Sequence, residues 1–374
     1  MGEISLFICG GHFSPALAVI EELRRHKNLN IYYIGRKFAL EGDKTFSLEF
    51  NSLSKLKIPF LALTTGRLQR HFSWQWIHSL LKIPLGFIQS LFYLLRFKPV
   101  LVLSFGGYVA LPVSLSAFVL GIPVITHEQT RIMGLTNRFI ALIAKFTCLS
   151  FANTRRVPLK SRIVMTGLPV RKSIINPHDT GLTLFGNTRL PLIYVTGGSL
   201  GSRSINSLLF EIIPNLLKKY RIFHVCGESA QGADYHRLAK LKSPNYYLIP
   251  YLDYDQVGEV IKNSALVIGR SGINTVAEIL IHRKKAVLIP LPWAAYNEQW
   301  DNAQILIKAG LAEVLNQQQL KSKILLLTII KMLEKDIKTV NTDVFQDWQF
   351  TGVKKITDLI LTNITNIGGF SVEE

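Results

Sequence analysis

Two glycine-rich turns, each placed directly after a short apolar strand, restrict the fold of this chain more than any other feature. The strand Ile4 to Ile8 leads into Cys9-Gly10-Gly11-His12, and the strand Leu192 to Val195 leads into Thr196-Gly197-Gly198-Ser199-Leu200-Gly201. Glycines at such a turn let backbone N–H groups surround a phosphate or sugar, and the next helix adds partial positive charge. We therefore expect two similar α/β halves that face one cleft.

Apolar runs of strand length alternate with amphipathic stretches of helix length along the whole chain. This rhythm is typical of parallel sheets covered by helices on both faces. The sequence therefore predicts an α/β fold with two Rossmann-like, doubly wound domains. Glycines and a proline interrupt the periodicity near 173–190. We expect an N-terminal domain over 1–172, a C-terminal domain over 190–345, and a helical segment over 346–374 that packs back on the N-terminal domain.

The charge balance favours an anionic partner. The 374 residues include 43 Lys and Arg against 25 Asp and Glu, a net charge of +18. Such a protein is attracted to nucleic acid, anionic lipid or phosphorylated substrates. The three cysteines, Cys9, Cys148 and Cys226, form no CxxC pattern, so we expect neither a disulfide framework nor a zinc site. The sequence also shows no signal peptide.

The most apolar long segment, Trp74 to Leu95, is interrupted by Lys82, Pro84 and Gly86. A membrane-spanning helix needs roughly twenty consecutive apolar residues. We therefore predict two helical pieces, of which the second, Leu85 to Arg96, covers a sheet. The first piece, Trp74 to Leu81, either dips into a membrane interface beside basic residues or is a core helix.

Two polar clusters of the first half follow predicted strands, where open α/β sheets bind ligands. His12 comes directly after the first glycine pair, and a neutral imidazole there can accept a proton. Further along are Ser104-Phe105-Gly106-Gly107-Tyr108 and then His127-Glu128-Gln129. Glu128 either acts as a base, orients one, or is a surface carboxylate that caps a loop. His12 alone would more simply be a polar loop residue.

The second half carries a phosphate loop, Thr196 to Arg203, in which Ser199 offers a hydroxyl. It lacks the Walker ending and departs from GxGxxG, so a P-loop hydrolase and a dinucleotide oxidoreductase are disfavoured. In Gly269 to Glu278, Ser271 and Gly272 open a helix, and the Glu278 carboxylate can accept both hydroxyls of a ribose. The alternative for Glu278 is an ordinary surface glutamate.

Asp253-Tyr254-Asp255 spells DxD, a triplet that holds divalent metal ions in some glycosyltransferases. Because it follows a strand and precedes a helix, we predict helix N-capping and no metal site. The amides and carboxylates of Asn297 to Asn302 suit sugar hydroxyls.

Taken together and in order, these blocks resemble the MurG-type peptidoglycan glycosyltransferases of glycosyltransferase family 28. The resemblance runs from about residue 8 to residue 314, and its most specific part is His127-Glu128-Gln129 followed by Gly134-Leu135-Thr136-Asn137-Arg138. Other matching blocks are Gly167-Leu168-Pro169-Val170-Arg171, Arg270-Ser271-Gly272, and Gln299 with Asn302-Ala303.

The resemblance implies a GT-B architecture and an inverting transfer of GlcNAc from UDP-GlcNAc to the C4 hydroxyl of the muramyl sugar of undecaprenyl-linked lipid I. The product is lipid II for the cell wall. It implies a peripheral enzyme at the cytoplasmic face of the plasma membrane, with an anionic membrane surface as partner and neither a cofactor nor nucleic acid.

The resemblance also implies roles for individual residues. Glu278 would hold the ribose, Ser199 the diphosphate, and Gln299 the GlcNAc hydroxyls. His12 with Glu128 would deprotonate or position the acceptor hydroxyl. The further donor-binding residues would be Cys9, Gly10, Gly11, Thr130, Arg171, Leu252, Ile273, Asn274, Thr275, Val276 and Ala277.

This sequence departs from the family pattern at several of these positions. Thr130 stands where the family usually has an Asn that contacts the donor sugar, Cys9 replaces a small hydroxyl residue, and Leu200 replaces a Gln. Three alternatives stay open: another lipid glycosyltransferase of the same architecture, a UDP-GlcNAc 2-epimerase, and a basic nucleic-acid-binding protein. No nucleic-acid-binding motif supports the last.

Overall fold

The computed structural model describes residues 4–38, 46–66, 74–182, 190–198, 201–227, 232–337 and 340–368. The chain divides into two compact units. Unit 1 comprises Met1–Arg171 together with Asp347–Glu374, and unit 2 is the continuous segment Lys172–Gln346.

Unit 1 is built on one parallel sheet of seven strands in the order β3-β2-β1-β4-β5-β6-β7. The strands are β1 (Ile4–Cys9), β2 (Leu29–Gly35), β3 (Phe60–Ala62), β4 (Leu101–Ser104), β5 (Val124–Glu128), β6 (Phe146–Leu149) and β7 (Ile163–Met165). The helices that connect them are α1 (Phe13–Leu23), α2 (Leu48–Lys55), α3 (Trp74–Phe97), α4 (Ala110–Val119) and α5 (Leu135–Ile143).

Unit 2 repeats this plan with a parallel sheet of six strands in the order β10-β9-β8-β11-β12-β13. The strands are β8 (Leu192–Thr196), β9 (Arg221–Val225), β10 (Tyr246–Ile249), β11 (Leu266–Gly269), β12 (Lys285–Leu288) and β13 (Ala312–Val314). The helices are α6 (Lys172–Ile175), α7 (Arg203–Leu216), α8 (Ala233–Leu238), α9 (Val257–Asn263), α10 (Ile273–Ile281), α11 (Glu298–Lys308) and α12 (Ser322–Glu334).

After unit 2 the chain returns to unit 1 and forms α13 (Gly352–Gly368), which packs against α1. Two hydrogen bonds fix the returning segment beside the residues that follow β7. Leu168 N–H donates to the Gln349 carbonyl at 2.7 Å, and the Thr351 hydroxyl donates to the Thr166 carbonyl at 2.9 Å. Unit 1 is therefore completed by residues from two separate stretches of the chain.

Both sheets reverse their strand order at one place, between β1 and β4 in unit 1 and between β8 and β11 in unit 2. Loops that leave the carboxyl ends of such neighbouring strands diverge and open a crevice, which is where open α/β sheets bind ligands. The two glycine-rich turns of the sequence follow β1 and β8. The predicted α/β fold with two parallel sheets is confirmed, while the cleft between the halves stays a prediction.

Two local predictions were wrong. The segment from Trp74 is one continuous helix, α3, that passes through Pro84 and ends at Phe97, not two pieces. The helix packs against α4, and the Ser116 hydroxyl of α4 donates to the Phe87 carbonyl at 3.2 Å, three residues after the proline. The DxD triplet does not cap α9, because that helix begins at Val257 with Gln256 as its N-cap and no side-chain capping bond.

Among the described helices, none combines the length and the apolar character that crossing a membrane requires.

Candidate functional site

In unit 1 the turns after β1 and β4 lie in direct contact. Gly11 N–H donates to the Gly106 carbonyl at 2.8 Å. Gly10 has φ +143°, and a Cβ there would lie 2.8 Å from the backbone of Phe105, so only glycine allows this approach. The Tyr33 hydroxyl donates to the Gly10 carbonyl at 2.8 Å and holds the turn from the side of β2. The first glycine pair therefore forms a fixed floor at the strand ends.

His12 stands at the start of α1 on this floor, partly exposed, and contacts the loop after β5. Its Nδ1 lies 2.8 Å from the carboxamide nitrogen of Gln129. Desolvation lowers the pKa of His12 below its ordinary value, and the negative charge of Glu128 partly opposes that shift. The imidazole is therefore held in its neutral form near neutral pH, as a proton acceptor requires.

Glu128 is almost fully buried at the end of β5, with 2% of its surface exposed. Its Oε1 accepts hydrogen bonds from the Thr130 N–H at 2.9 Å and the Thr130 hydroxyl at 2.8 Å. Its Oε2 accepts from the Gly134 N–H at 3.0 Å and from Asn137 Nδ2 at 2.9 Å. Four donors thus surround one carboxylate, so Glu128 folds the loop 129–134 around itself.

This geometry bears on the roles open to Glu128 in the sequence. The carboxylate accepts four hydrogen bonds inside the protein and is buried, so it is not the surface residue considered above, while its part in the chemistry stays a prediction. Thr130 is drawn into the same cluster, with 6% exposure and its hydroxyl within 2.8 Å of both Glu128 Oε1 and the Ile132 carbonyl. The Thr130 side chain therefore faces the loop interior.

His127 and Cys9 are buried beside these residues at the ends of β5 and β1. Burial lowers the pKa of His127 to about 3, so its ring is neutral. A hydrogen bond of 3.0 Å links His127 Nε2 to the Ser150 hydroxyl. Burial also raises the pKa of the Cys9 thiol, which keeps it protonated. Neither side chain reaches the surface, so both shape the floor of the site.

In unit 2 the Arg270 guanidinium joins three loops at the carboxyl ends of β8, β11 and β12. Its Nη2 donates to the hydroxyls of Ser202 at 2.7 Å and Ser204 at 3.0 Å, and its Nη1 donates to the Ile289 carbonyl at 2.9 Å. Burial lowers the pKa of Arg270 to about 10, which still leaves it charged at neutral pH. A positive charge therefore sits at the N-terminus of α7, beside the predicted phosphate loop.

The N-terminus of α10 is the second electropositive element at this edge. Gly272 is its N-cap and makes no side-chain capping bond to the first N–H groups of the helix. Asn274, Thr275 and Glu278 are partly exposed on the helix, whereas Ile273, Val276 and Ala277 are buried with at most 3% exposure. The last three can meet a ligand only through their backbone.

Gln299 and Ser271 are tied together where α11 begins. The Ser271 hydroxyl donates to the Gln299 carbonyl at 2.7 Å, and the Gln299 side-chain oxygen accepts from the Leu291 N–H at 2.9 Å. The Gln299 side-chain nitrogen thus remains as the donor that can meet a sugar hydroxyl. Asn302 is buried and donates to the Ser271 carbonyl at 3.2 Å, so it supports the turn.

The remaining predicted site residues are placed as follows. Arg171 closes the first stretch of unit 1 and is 5% exposed, and Leu252 follows β10 in unit 2 with 6% exposure. Ser199 lies outside the described residues. Within the described ranges, no group of three or more His, Cys, Asp or Glu side chains stands close enough to hold a metal ion.

Sequence reasoning missed three contributors to these sites: Tyr33, Asn137 as a ligand of Glu128, and Arg270 as a clamp. Asn137 and Arg270 lie within motifs named above. Their separations in sequence from Glu128 and Ser202 follow no helix or strand period, so the sequence does not predict the contacts. Tyr33 lies in β2, where the sequence pattern predicts that an aromatic side chain packs in the core.

Family models match both units of the chain. The model of the glycosyltransferase family 28 N-terminal domain matches residues 9–148, and the model of the family 28 C-terminal domain matches residues 192–350. One relative is the UDP-N-acetylglucosamine--N-acetylmuramyl-(pentapeptide) pyrophosphoryl-undecaprenol N-acetylglucosamine transferase of Treponema denticola. It is 35% identical over 318 residues, which cover 82% of this chain and 81% of the relative.

Solved structures of similar fold include the crystal structure of Acinetobacter baumannii MurG, with a TM-score of 0.64, 26% identity, and coverage of 96% of this chain and 99% of that chain. A UDP-GlcNAc 2-epimerase of Neisseria meningitidis bound to UDP-GlcNAc has a TM-score of 0.59 at 14% identity, covering 97% of this chain and 99% of that chain. The second likeness shows the fold alone.

Proposed function

This chain belongs to glycosyltransferase family 28, and from that premise we propose that it transfers N-acetylglucosamine from UDP-N-acetylglucosamine to a lipid-linked acceptor. The acceptor is the N-acetylmuramyl-(pentapeptide) pyrophosphoryl-undecaprenol of peptidoglycan synthesis, and the products are lipid II and UDP. The observation that carries the proposal is the Treponema denticola relative, whose 35% identity extends over four fifths of both chains.

We assign the donor to the strand-end site of unit 2. The Glu278 carboxylate accepts hydrogen bonds from the ribose hydroxyls, and the backbone around Leu252 and Ile273 to Thr275 frames the uracil and sugar. The free N–H groups at the start of α10 and the nearby Arg270 charge are aligned to stabilise a diphosphate. Ser199 contacts the same diphosphate, and Gln299 donates its side-chain N–H to a GlcNAc hydroxyl.

We assign the acceptor chemistry to unit 1. The C4 hydroxyl oxygen of the muramyl sugar attacks C1 of GlcNAc while the bond from C1 to the diphosphate oxygen breaks. UDP leaves with that electron pair, and the hydroxyl proton passes to the neutral imidazole of His12. Glu128 keeps the loop 129–134 folded, because its two oxygens accept hydrogen bonds from four internal donors.

An exposed apolar surface of unit 1 supports the proposal of a lipid-linked acceptor. The helices α3, α4 and α5 pack successively against one another and expose large apolar side chains that we call the apolar face. Its members are Leu85, Ile88, Phe92, Leu95, Leu115, Phe118, Val119, Leu135, Phe139 and Leu142, each between 38% and 66% exposed. Exposed apolar surface of this extent is typical of protein or membrane interaction sites.

The charge of these helices favours an anionic lipid surface as the partner of the apolar face. The sequences of the three helices contain no Asp or Glu, and they include Lys82, Arg96 and Arg138. With a net charge of +18, the protein is attracted to the anionic lipids of a cytoplasmic leaflet. We propose peripheral binding at the cytoplasmic face of the plasma membrane. The side chains of Trp74 to Leu81 lie outside the described part of α3.

The activity is tested by incubating the purified chain with labelled UDP-GlcNAc and a lipid I analogue. We expect label on the lipid and UDP in equal amount, with both lost in His12→Gln. Conversion of the nucleotide sugar to its 2-epimer without acceptor would instead identify an epimerase. Label on a glycolipid acceptor but not on lipid I would identify another lipid glycosyltransferase.

A further inference from the structure

Gln129 makes the only hydrogen bond to the His12 ring within the described residues, across 2.8 Å from its carboxamide nitrogen to Nδ1. It is 5% exposed and lies in the loop that folds around the Glu128 carboxylate. Its position is therefore set by buried hydrogen bonds on both sides of it in the sequence, and the contact to His12 is built into the fold.

This contact decides which ring nitrogen of neutral His12 carries the proton. A carboxamide N–H at this position donates to Nδ1, which places the proton on Nε2 and makes His12 a donor toward a ligand. A carboxamide oxygen at the same position accepts from Nδ1–H, which leaves the lone pair on Nε2 and makes His12 a base. Rotating the carboxamide by half a turn exchanges its oxygen and its nitrogen. The positions of the heavy atoms stay nearly the same, so both orientations fit the structure.

A second observation concerns the other atom of the same carboxamide. With the nitrogen toward His12, Gln129 Oε1 is buried and accepts no hydrogen bond within the described residues. An unpaired buried acceptor destabilises a protein. Rotation turns this oxygen toward a ring N–H and leaves the NH2 group in its former place, so burial alone does not select an orientation. The chemistry does: only the rotated form leaves the Nε2 lone pair of His12 available to accept a proton.

We propose that Gln129 is a positioning residue whose carboxamide oxygen accepts from His12 Nδ1–H and thereby directs the basic lone pair of Nε2 toward the acceptor hydroxyl. The catalytic part of this inference rests on the proposed function, whereas the tautomer of His12 is a property of the protein alone.

An amide fits this role better than a carboxylate because of the groups around the ring. Glu128 at the end of β5 already attracts a proton to His12, while His127 on the same strand and Cys9 on β1 are buried and uncharged. A second carboxylate would raise the pKa of His12 and protonate the ring in the free enzyme. The neutral amide fixes the direction of the ring without adding charge.

The tautomer is read directly by nitrogen NMR of the full chain labelled with ¹⁵N-histidine. The chain has nine histidines, and the His12 signals are those lost in His12→Gln. We expect neutral His12 with a protonated Nδ1 and an unprotonated Nε2. A proton on Nε2 would overturn the inference whether or not the chain transfers sugar.

Two substitutions then separate positioning from mere packing. Gln129→Met should move the proton to Nε2 and lower kcat at least about tenfold with little change in the donor KM. Gln129→Glu should keep the Nδ1–H tautomer and move the acid limb of the pH–rate profile to higher pH by about 1 unit or more. An unmoved pH profile in a folded Gln129→Glu enzyme contradicts the proposal.

The matched control is Gln89→Met in the same unit, where the carboxamide accepts from the Thr64 N–H at 2.9 Å. It removes one amide hydrogen bond far from His12 in sequence and should leave the tautomer and the pH profile unchanged. If no variant or wild-type sample transfers sugar while His12 shows the Nδ1–H form, the proposed function fails and the tautomer assignment stands.

Discussion

Asn137 donates its side-chain N–H to Glu128 Oε2 at 2.9 Å and so joins the first turns of α5 to the end of β5. The same Asn137 group also donates to the His127 carbonyl at 3.1 Å. The strand end, the loop after it and the next helix therefore meet at one buried carboxylate.

Glu128→Gln should lower the free energy of unfolding by about 1–3 kcal/mol, because a neutral amide places a donor among groups that all donate. Turnover should fall with it, since the loop that carries Gln129 loosens. Chemical denaturation and the transfer assay measure the two effects. Glu22→Gln, which removes an exposed ion pair with Arg25, is the control. Normal stability with lost turnover would instead identify Glu128 as a chemical base.

Glu278→Ala should weaken UDP-GlcNAc binding by about 1–3 kcal/mol, the scale of hydrogen bonds to a charged group. Titration calorimetry with UDP and with UDP-GlcNAc measures the loss, which should be equal for both because the ribose is common to them. Glu313→Ala, at an exposed pair with Lys331 in the same unit, should bind normally. An unchanged donor Kd in Glu278→Ala would remove Glu278 from the donor site.

Gly201→Ala should unfold more readily than Gly310→Ala, although both glycines have nearly the same φ, +76° and +77°. The difference is space: a Cβ at Gly201 would lie 2.0 Å from the Cys226 carbonyl, whereas nothing stands within 4 Å of one at Gly310. In both variants the left-handed backbone conformation of the new alanine costs about 1–2 kcal/mol. Only Gly201→Ala should also lower UDP affinity, because the turn after β8 must shift. Denaturation and UDP titration of both variants test this, and equal losses would contradict it.

Acid should destabilise the protein partly through His224, whose pKa burial lowers from 6.5 to about 3. The ring is hydrogen-bonded to the Tyr246 hydroxyl and to Asn206 Oδ1, each at 3.0 Å. Because the unfolded chain takes up the proton first, stability falls as pH drops below about 6.5 and continues to fall toward pH 3. Between about pH 7 and 5 this histidine should cost about 2 kcal/mol.

The measurement is the free energy of unfolding against pH for wild type and His224→Gln. The variant starts lower at pH 7 but should show a shallower decline, with the slope that remains coming partly from His127. Parallel curves for the two proteins would mean that His224 titrates normally.

Replacing Phe92, Phe118 and Phe139 together by Ser should abolish binding to vesicles that contain anionic lipid. Each ring is more than half exposed on a different helix of the apolar face, so their loss removes anchoring area without opening the core. Co-sedimentation with anionic and zwitterionic vesicles measures it. Leu327→Ser, at a 58% exposed position of α12 in unit 2, is the control. Undiminished sedimentation of the triple variant would contradict the proposed surface.

The parallel strands of both sheets were predictable because most are continuous apolar runs that end at polar or glycine residues. The strands β3, β6 and β13 were not predicted. Phe60–Ala62 and Ala312–Val314 are too short to give a clear pattern, and Phe146–Leu149 mixes Thr and Cys with its two apolar residues. Pro84 misled the prediction for α3 because a proline normally breaks a helix, whereas contacts with α4 hold this one together.

Candidate site residues could be named from the sequence, but the direction of their side chains could not. His12 and Glu128 stand at strand ends, where the alternation of a strand no longer says which way a residue points. Whether Glu128 meets a ligand or its own loop depends on the Thr130, Gly134 and Asn137 donors, which become neighbours only when the chain turns back after β5.

Unit 2 is one uninterrupted stretch, whereas unit 1 receives α13 only after all of unit 2 has been made. During synthesis, unit 2 therefore leaves the ribosome with all of its described strands and helices, and it can complete its core before unit 1 does. In unit 1, which contains His12, the side of α1 that packs against α13 stays uncovered until α13 has been synthesised. A released chain that ends before residue 352 would thus contain the whole of unit 2 and an incomplete unit 1.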